Sequence, residues 1–393
     1  MSRFFATCAR GLEPILAQEL TNLKAREIAP GLGGVHFSGG VEMLYKANLW
    51  LRTAVRVLEP VLEAEVRNPD ELYDAVRTIP WDRYLTPDHT IAVDCNVKNS
   101  GITHSQYAAR RVKDAICDQF RDRCGLRPSV DVEHPAIGLN LHISRDRAIL
   151  SFDTSWDSLH KRGYRPIQTR APLNEALAAG LLLHLGYDGT KPLVDPMCGS
   201  GTFPIEAAWI ALKRPPGLTR KWFAFYGRHD FDRALWNAIR EDARKKMLAH
   251  LPAPIFASDI RRDAVNLATD NAAAAGIGHL LKFVTMDVYD AKPPTEVPGL
   301  MIVNPPYGER LGEEEELVGL YAALGDTFKR FWPTWELCLF TPSEFLAKKV
   351  KLAAYKKTPF YNGAIPCKLR QYLVNPPEEP AAVPALETAI SVP

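Results

Sequence analysis

The chain has 393 residues, 48 of them Lys or Arg and 46 Asp or Glu, giving a net charge of +2 at pH 7. This length allows two or three domains with cores of their own, and so even a charge balance excludes a globally basic nucleic-acid binder, leaving RNA affinity to local patches. Seven scattered cysteines without C-x-x-C spacing argue against a disulfide framework and a zinc site and for a reducing cytoplasm. The first ten residues lack the apolar core of a signal peptide, and no apolar run approaches the ~20 residues that span a bilayer.

In chain order, residues 3–8 read as a strand and 11–23 as an amphipathic helix, with Leu12, Ile15, Leu16, Leu20 and Leu23 near one face and Pro14 in the first turn. Residues 31–40 are a turn–strand–turn, 41–49 a second helix and 53–65 a long strand, which suggests a small α+β unit. The pattern restarts at Asn68: a helix over 70–77 with acids in its first turn, an alternating strand over 90–97, and a long helix over 105–124. Its spacing predicts Tyr107, Val112, Ile116 and Phe120 toward a core. Arg110, Arg111, Lys113, Arg121 and Arg123 fall on the outward side, among Asp114, Asp118 and Asp122. They read either as a solvated face or as a phosphate-contacting surface. Two strands, 139–143 and 147–153, flank a turn.

Residues 158–166 are basic and punctuated by Gly163 and Pro166. They read as a linker or as a strap whose Lys161, Arg162 or Arg165 touches RNA. A helix follows over 171–184, where only Thr169, Arg170, Pro172 or Asn174 could reach a ligand. Next, Leu193-Val194 ends a strand at Asp195, and Met197-Cys198-Gly199-Ser200-Gly201-Thr202 leads into a helix over 205–212. Glycines let a backbone approach a ligand, and a helix N-terminus offers free N–H groups. Only Gly199-x-Gly201 is present, however, so a structural turn explains the glycines about as well. Residues 213–250 form a long insertion rich in Arg, Lys and Trp (Arg214, Arg220, Lys221, Trp222, Arg228), suited to RNA or to a peripheral helical cover.

A second βα unit runs over 255–259 and 264–275, with Asp259-Ile260 at the turn. A third strand over 281–288 ends at Asp287-Val288. Three acids thus close three successive strands, where open α/β sheets bind ligands. The apolar run Met301-Ile302-Val303 then ends at Asn304-Pro305-Pro306-Tyr307, followed by Gly308-Glu309-Arg310, whose arginine serves the loop or the RNA. Beyond lie a helix over 321–331, a strand over 336–340, a basic region over 348–355, and a hairpin over 360–374 turning at Asn362-Gly363. Residues 376–393 are Pro/Ala-rich and expected to be disordered.

Asn304 and its prolines suit one chemistry. An exocyclic amine on a base is a poor nucleophile because its lone pair delocalises into the ring. Two acceptors, the Asn304 side-chain oxygen and the Pro305 carbonyl, can take its two hydrogens and turn the nitrogen toward sp³. Two prolines fix the placement, and Tyr307 can stack on a flipped base. No metal and no covalent nucleophile is required, and Cys198 reads as loop packing.

Residues 195–202 and 304–307 together resemble the class I S-adenosylmethionine-dependent methyltransferases that modify exocyclic amines. The resemblance implies an α/β, Rossmann-like catalytic domain. It implies S-adenosyl-L-methionine bound by Asp195, Met197, Cys198, Gly199, Ser200, Gly201, Thr202, Asp259, Ile260, Asp287, Val288 and Asn304, and catalysis by Asn304, Pro305, Pro306 and Tyr307. The segment 68–152, with the phrases Asn96-Val-Lys-Asn-Ser-Gly101 and Asp153-Thr-Ser-Trp-Asp157, looks like a THUMP RNA-binding domain, and the unit before it is similar to the ferredoxin-like domain that accompanies THUMP. Residues 160–165 resemble the phrase preceding the catalytic domain in such enzymes. The expected domains are 1–66, 67–156, a linker 157–170, 171–375 and a tail 376–393. The implied function is guanine-N2 methylation of RNA, with 23S rRNA as substrate and tRNA next. The motif alone does not separate guanine N2 from adenine N6, so a DNA or RNA adenine methyltransferase stands second, and a non-catalytic RNA-binding or assembly factor third. Oligomeric state and target nucleotide stay open.

Overall fold

The computed structural model describes residues 1–165, 173–308 and 313–374. Thr169, Arg170, Pro172, Glu309, Arg310 and the tail 376–393 lie outside the described residues. The strands among them form two sheets.

The first sheet contains β1 (Ser2–Cys8), β2 (Arg26–Gly31), β3 (Gly34–Gly39), β4 (Ala54–Glu65), β5 (Thr90–Lys98), β6 (Ser129–Val130), β7 (Ile137–Ser144) and β8 (Arg147–Asp153), in the order β2-β3-β1-β4-β8-β7-β5-β6. β4 joins its two halves. Its first residues pair with β1 (Ala6 with Val57), and from Leu58 onward it pairs with β8 as far as Glu65 with Arg147. The ladder shifts between Pro60 and Leu62, where a missing N–H is tolerated. Both α+β units therefore share one sheet, and their boundary runs through a strand.

Helices Pro69–Arg77 and Ser105–Cys124 cover the β5–β8 part. Asn68 caps the first, its side chain accepting from the Asp70 and Glu71 N–H groups, with Pro69 in the first turn. In the second helix Ala108, Val112, Ala115, Ile116 and Phe120 are buried, whereas Tyr107 is 50 % exposed. The expectation that Tyr107 faces the core is thus corrected: Ala108, one residue on, occupies the inward row. The basic flank is largely paired, with Arg111 to Asp70 at 2.8 Å, Arg121 to Asp118 at 2.7 Å and Arg123 to Asp82 at 2.6 Å. Such compensated charges are what the reading as a solvated face requires.

The second sheet comprises β9 (Leu193–Asp195), β10 (Ile255–Asp259), β11 (Lys282–Thr285), β12 (Leu300–Val303), β13 (Glu336–Thr341), β14 (Lys356–Asn362) and β15 (Ile365–Leu373), ordered β11-β10-β9-β12-β13-β15-β14. The first five strands are parallel, and β15 runs antiparallel to both its neighbours.

The insertion over 213–250 clasps the two halves. Phe225 and Trp236 pack on Tyr45 of helix Val41–Trp50, with ring centroids 4.9 and 5.7 Å apart. Tyr45 accepts the Asp232 N–H at 2.9 Å. Arg220 donates to the Ser158 and Asp157 carbonyls, both at 2.9 Å, and Arg228 bridges Glu59 and Asp230. These two arginines face protein, as the reading of the insertion as a cover requires, whereas Lys221 is exposed. One apolar core runs from Phe4 and Leu12 through Leu181 and Trp209 to Phe340, continuous across the halves.

Gly227 sits where this clasp meets the loop before β7. A Cβ there would lie 2.6 Å from the Ala136 carbonyl carbon and closer to its oxygen, which is backbone and cannot swing away. Gly227→Ala is expected to cost about 1–3 kcal/mol, read as a fall in the apparent thermal midpoint. Gly319→Ala, with nothing within 4 Å of its Cβ, is expected to leave the midpoint unchanged or slightly raised.

Candidate active site

The loop after β9 is shaped by two glycines in the left-handed region, Gly199 at φ +52° and Gly201 at φ +82°. Gly201 precedes helix Thr202–Ala211, and a Cβ on it would stand 3.0 Å from that of Ala268. Neighbours fix the loop on either side. The Cys198 N–H donates to the Ser258 carbonyl at 2.9 Å, and the Asn271 amide donates to the Ser200 carbonyl at 2.9 Å. Asp259, at the end of β10, accepts the Gly199 N–H (2.9 Å) on one oxygen and the Arg261 N–H (3.0 Å) on the other. Each of these oxygens keeps a second lone pair. Asp195 accepts from the Met197 N–H at 3.1 Å, and Asp287 from the Tyr289 N–H at 3.0 Å.

These loops enclose a cavity of about 460 Å³. Asp195, Met197, Cys198, Gly199, Ser200, Thr202, Asp259, Ile260, Asn304 and Pro306 line it. A second cavity of about 330 Å³ shares Met197, Asp259 and Ile260 with the first and extends to Asp287 and Val288. The two stretches far apart in sequence, 195–202 and 304–306, thus face one cleft. Gly201 lies behind it against Ala268, and Cys198, which borders the cavity, also packs in a small cluster with Ala257 and Ala268.

Asn304 follows β12 directly. Its Oδ1 is buried without a hydrogen-bond partner among the described residues. Pro305 is buried, and Tyr307 packs half-buried against the cluster that holds Met301 and Tyr321. The loop is held from behind: the Tyr321 hydroxyl lies 3.1 Å from the Pro306 carbonyl and 3.1 Å from Thr341 Oγ1, with Arg370 on the Thr341 carbonyl at 3.1 Å. Sequence reasoning passed over Tyr321, which reads as ordinary core on its helix. It also missed Asn271, although a polar residue on the apolar face of helix Arg262–Ala274 is a readable signal.

The strap differs from expectation. Arg162 is 1 % exposed, its guanidinium donating to the Leu159 carbonyl at 2.7 Å and the Arg52 carbonyl at 2.5 Å and lying 3.4 Å from Glu206. Arg165 pairs with Glu175 at 3.2 Å, donates to the Leu173 carbonyl at 3.0 Å and bonds Thr202. Both are therefore withdrawn as RNA contacts, because they neutralise acids buried between helices. Lys161, with its side chain 60 % exposed, stays on the surface. Asn174 caps helix Glu175–His184 with its side-chain oxygen. Among the described residues no group of three or more His, Cys, Asp or Glu could hold a metal ion, and no helix is long and apolar enough to cross a membrane.

A five-stranded parallel sheet ending in an antiparallel hairpin, with acids closing adjacent strands around one cleft, defines a class I methyltransferase fold. Here it follows ferredoxin-like and THUMP domains. Residues 162–371 match the family described as "RMKL-like, methyltransferase domain", residues 66–153 the THUMP domain, and residues 3–58 the RlmL ferredoxin-like domain. The chain belongs to the RMKL-like methyltransferase family. It is 45 % identical over 380 residues to a ribosomal RNA large subunit methyltransferase K/L of Syntrophotalea carbinolica, covering 94 % of this chain and 53 % of that protein. It is 40 % identical over 369 residues to the putative RNA methyltransferase slr0064 of Synechocystis, covering 94 % and 96 %. The chain thus spans about half the length of the K/L relatives and nearly all of slr0064. The crystal structure of SMU.472, a putative methyltransferase complexed with SAH, superposes with a TM-score of 0.88 at 32 % identity, covering 96 % of this chain and 99 % of that one.

Asp195 is 1 % exposed. Burial holds its carboxyl well above the ordinary carboxylate range, and the charge of Asp259 adds to the effect. The folded state therefore binds this proton more tightly than the unfolded chain. The associated stability is complete below the unfolded pKa of about 4 and is lost as pH rises through the folded value. Asp195→Asn, which keeps an acceptor for Met197, is expected to raise resistance to urea at neutral pH, with the gain shrinking as pH falls toward 4. A pH-independent difference in unfolding free energy would contradict this assignment.

Proposed function

We propose that this chain transfers a methyl group from S-adenosyl-L-methionine to the exocyclic N2 amine of a guanosine in 23S rRNA, in the cytoplasm. Residues 171–375 are the catalytic unit, and residues 1–156 select the RNA. The observation that carries the reading is the buried Asn304 Oδ1, without a hydrogen-bond partner among the described residues, in a residue that lines the cleft shared with Asp195 and Asp259. A buried acceptor left without a donor costs free energy, and a substrate N–H would satisfy it.

The residues present fit the cofactor. The two joined cavities are of ligand size, and Asp259 and Asp287 retain acceptor capacity for hydroxyl and amino hydrogens. The loop 197–202 brings backbone to the cleft wall beside a helix N-terminus. When bound, the cofactor supplies an electrophilic methyl on a sulfonium leaving group. The protein's part is placement. Asn304 Oδ1 and the Pro305 carbonyl accept the two amine hydrogens, which localises the nitrogen lone pair. Tyr321 holds the Pro306 carbonyl, so the rigid Asn-Pro-Pro turn presents its acceptors without reorganising. Tyr307 offers a ring for the flipped base. The proton released from the methylated nitrogen passes to solvent.

The names of the K/L relatives support ribosomal RNA, and the THUMP match supports RNA over DNA. Adenine N6 is chemically the nearest alternative. A structure titled as a predicted N6-adenine-specific DNA methylase from Listeria monocytogenes is 33 % identical to this chain, with a TM-score of 0.85. Nucleoside mass spectrometry of 23S rRNA treated with the enzyme and cofactor is expected to show N2-methylguanosine; N6-methyladenosine instead would overturn the guanine assignment. Asn304→Ala is expected to lower the rate of transfer by about a hundredfold or more, with S-adenosylhomocysteine affinity by calorimetry little changed. Tyr321→Phe is expected to lower kcat by about tenfold while KM for the cofactor stays put. Near wild-type transfer by Asn304→Ala would remove that residue from the mechanism.

A further inference from the structure

The phrase Asp153-Thr-Ser-Trp-Asp157 has no part in the active site, yet it helps build a separate concavity. A groove of about 340 Å³ lies where β4, β5 and the start of the strap meet, lined by Arg56, Asp94, Val132, Trp156, Asp157 and Lys161 among others. Trp156 is set there by force. Its backbone stands at φ +58°, in the left-handed region that a bulky residue rarely adopts. The conformation is held by the Asp153 carboxylate, which accepts the Trp156 N–H at 2.8 Å, and by Arg56, which donates to the Trp156 carbonyl at 2.5 Å. The indole seats over Gly138, where a Cβ would come 2.6 Å from its Cε3.

The polar groups around this ring are of two kinds. Arg56 is committed, bonded to Asp153 and paired with Asp94 at 3.1 Å. Lys161 is not: it is mostly exposed and lies 3.9 Å from Asp157. Asp94 and Asp157 are about half exposed and accept hydrogen bonds only. Val132, 71 % exposed, floors the opposite side. An aromatic ring, one exposed ammonium and two carboxylates match an unpaired nucleotide. The base stacks, its N–H edge meets a carboxylate, and its phosphate meets the lysine. A backbone-tracking phosphate groove would instead show uncompensated positive charge.

We propose that this groove is a slot for one unpaired nucleotide of the RNA substrate, with its base against Trp156 and its phosphate at Lys161. The proposal rests on the reading of the chain as an RNA enzyme and adds where the RNA is gripped. In the strap that edges the slot at Ser158 and Lys161, Arg165 is bonded to Thr202 of the cofactor cleft. Arg162 and Tyr164, both buried, lie between slot and cleft along the strap.

The test measures RNA binding and methyl transfer separately. Filter binding of radiolabelled fragments tiling 23S rRNA, with bulk tRNA as a second arm, is compared for the wild type, Trp156→Ala, Trp156→Phe and Lys161→Glu. Trp156→Ala is expected to weaken binding of the best fragment about tenfold, the loss of one base–aromatic stack. Trp156→Phe should bind within about threefold of wild type, because a phenyl ring keeps most of that stack. Lys161→Glu should weaken binding and flatten its salt dependence. S-adenosylhomocysteine affinity should be unchanged in all three. If Trp156→Ala binds RNA as wild type does, the slot is wrong, whatever the methylation assay shows. Should Trp156→Ala also lose S-adenosylhomocysteine, photocrosslinking of 4-thiouridine-substituted RNA to the wild type decides: adduct on the peptide bearing Trp156 supports the slot, and adducts only elsewhere refute it. Failure of the wild type to methylate any RNA, with binding still lost in Trp156→Ala, would sink the catalytic reading and leave the slot standing.

Discussion

The ladder that seats β9 between β10 and β12 makes a site out of this sequence. Leu193 pairs with Ile255 on one side and with Leu300 on the other. Because the three strands are parallel, their C-terminal turns open at the same edge. Asp195, Asp259 and Asn304, scattered over more than a hundred positions, become neighbours through that pairing alone. The close approach is itself specified. Leu300 donates to the Pro192 carbonyl at 2.9 Å, and a Cβ on Gly299 would lie 2.9 Å from the Pro192 carbonyl carbon and nearer to its oxygen. A side chain there would push β12 off β9.

What was legible in the sequence was local. A strand, an acid and a glycine turn are contiguous, so Asp195, Asp259 and Asp287 could be placed at strand ends and Asn304 at the head of a rigid turn. Side chains whose partners lie far along the chain were not legible. Tyr45 and Asp232 are separated by 187 positions, and nothing near either predicts their bond. The arginines of the strap look like surface cations because a segment without periodicity has no inner and outer face to read. Only the fold reveals Glu206 and Glu175 behind them. The Tyr107 error is a phase error of one residue, enough on a helix to turn a side chain by about 100°.

The buried charges of the strap bear on how the halves fit. An ion pair out of water gains little net stability, since desolvation offsets the attraction. Arg162 and Glu206 are supported by the Leu159 and Arg52 carbonyls and the Tyr164 hydroxyl at 3.2 Å. Arg52 belongs to the N-terminal half, Leu159, Arg162 and Tyr164 to the strap, and Glu206 to the catalytic half. Any other docking would strand a charge in the core, so the network selects one arrangement more than it strengthens it.

That rigidity changes what substrate selection can mean. Modules joined by a flexible linker search a volume, and any target within reach of the tether can be captured. Here the N-terminal sheet, the insertion and the cofactor helix share one core through Leu12, Phe225 and Trp209, and Arg52 donates to the Trp209 carbonyl across the seam at 3.0 Å. An RNA gripped by the N-terminal sheet is thus held at a set displacement from Asn304. Under the proposed function, the amine methylated would be the one that the folded RNA carries at that displacement. A cleft that asks of its target only an exocyclic amine can still be selective, because the distance to a second foothold does the choosing.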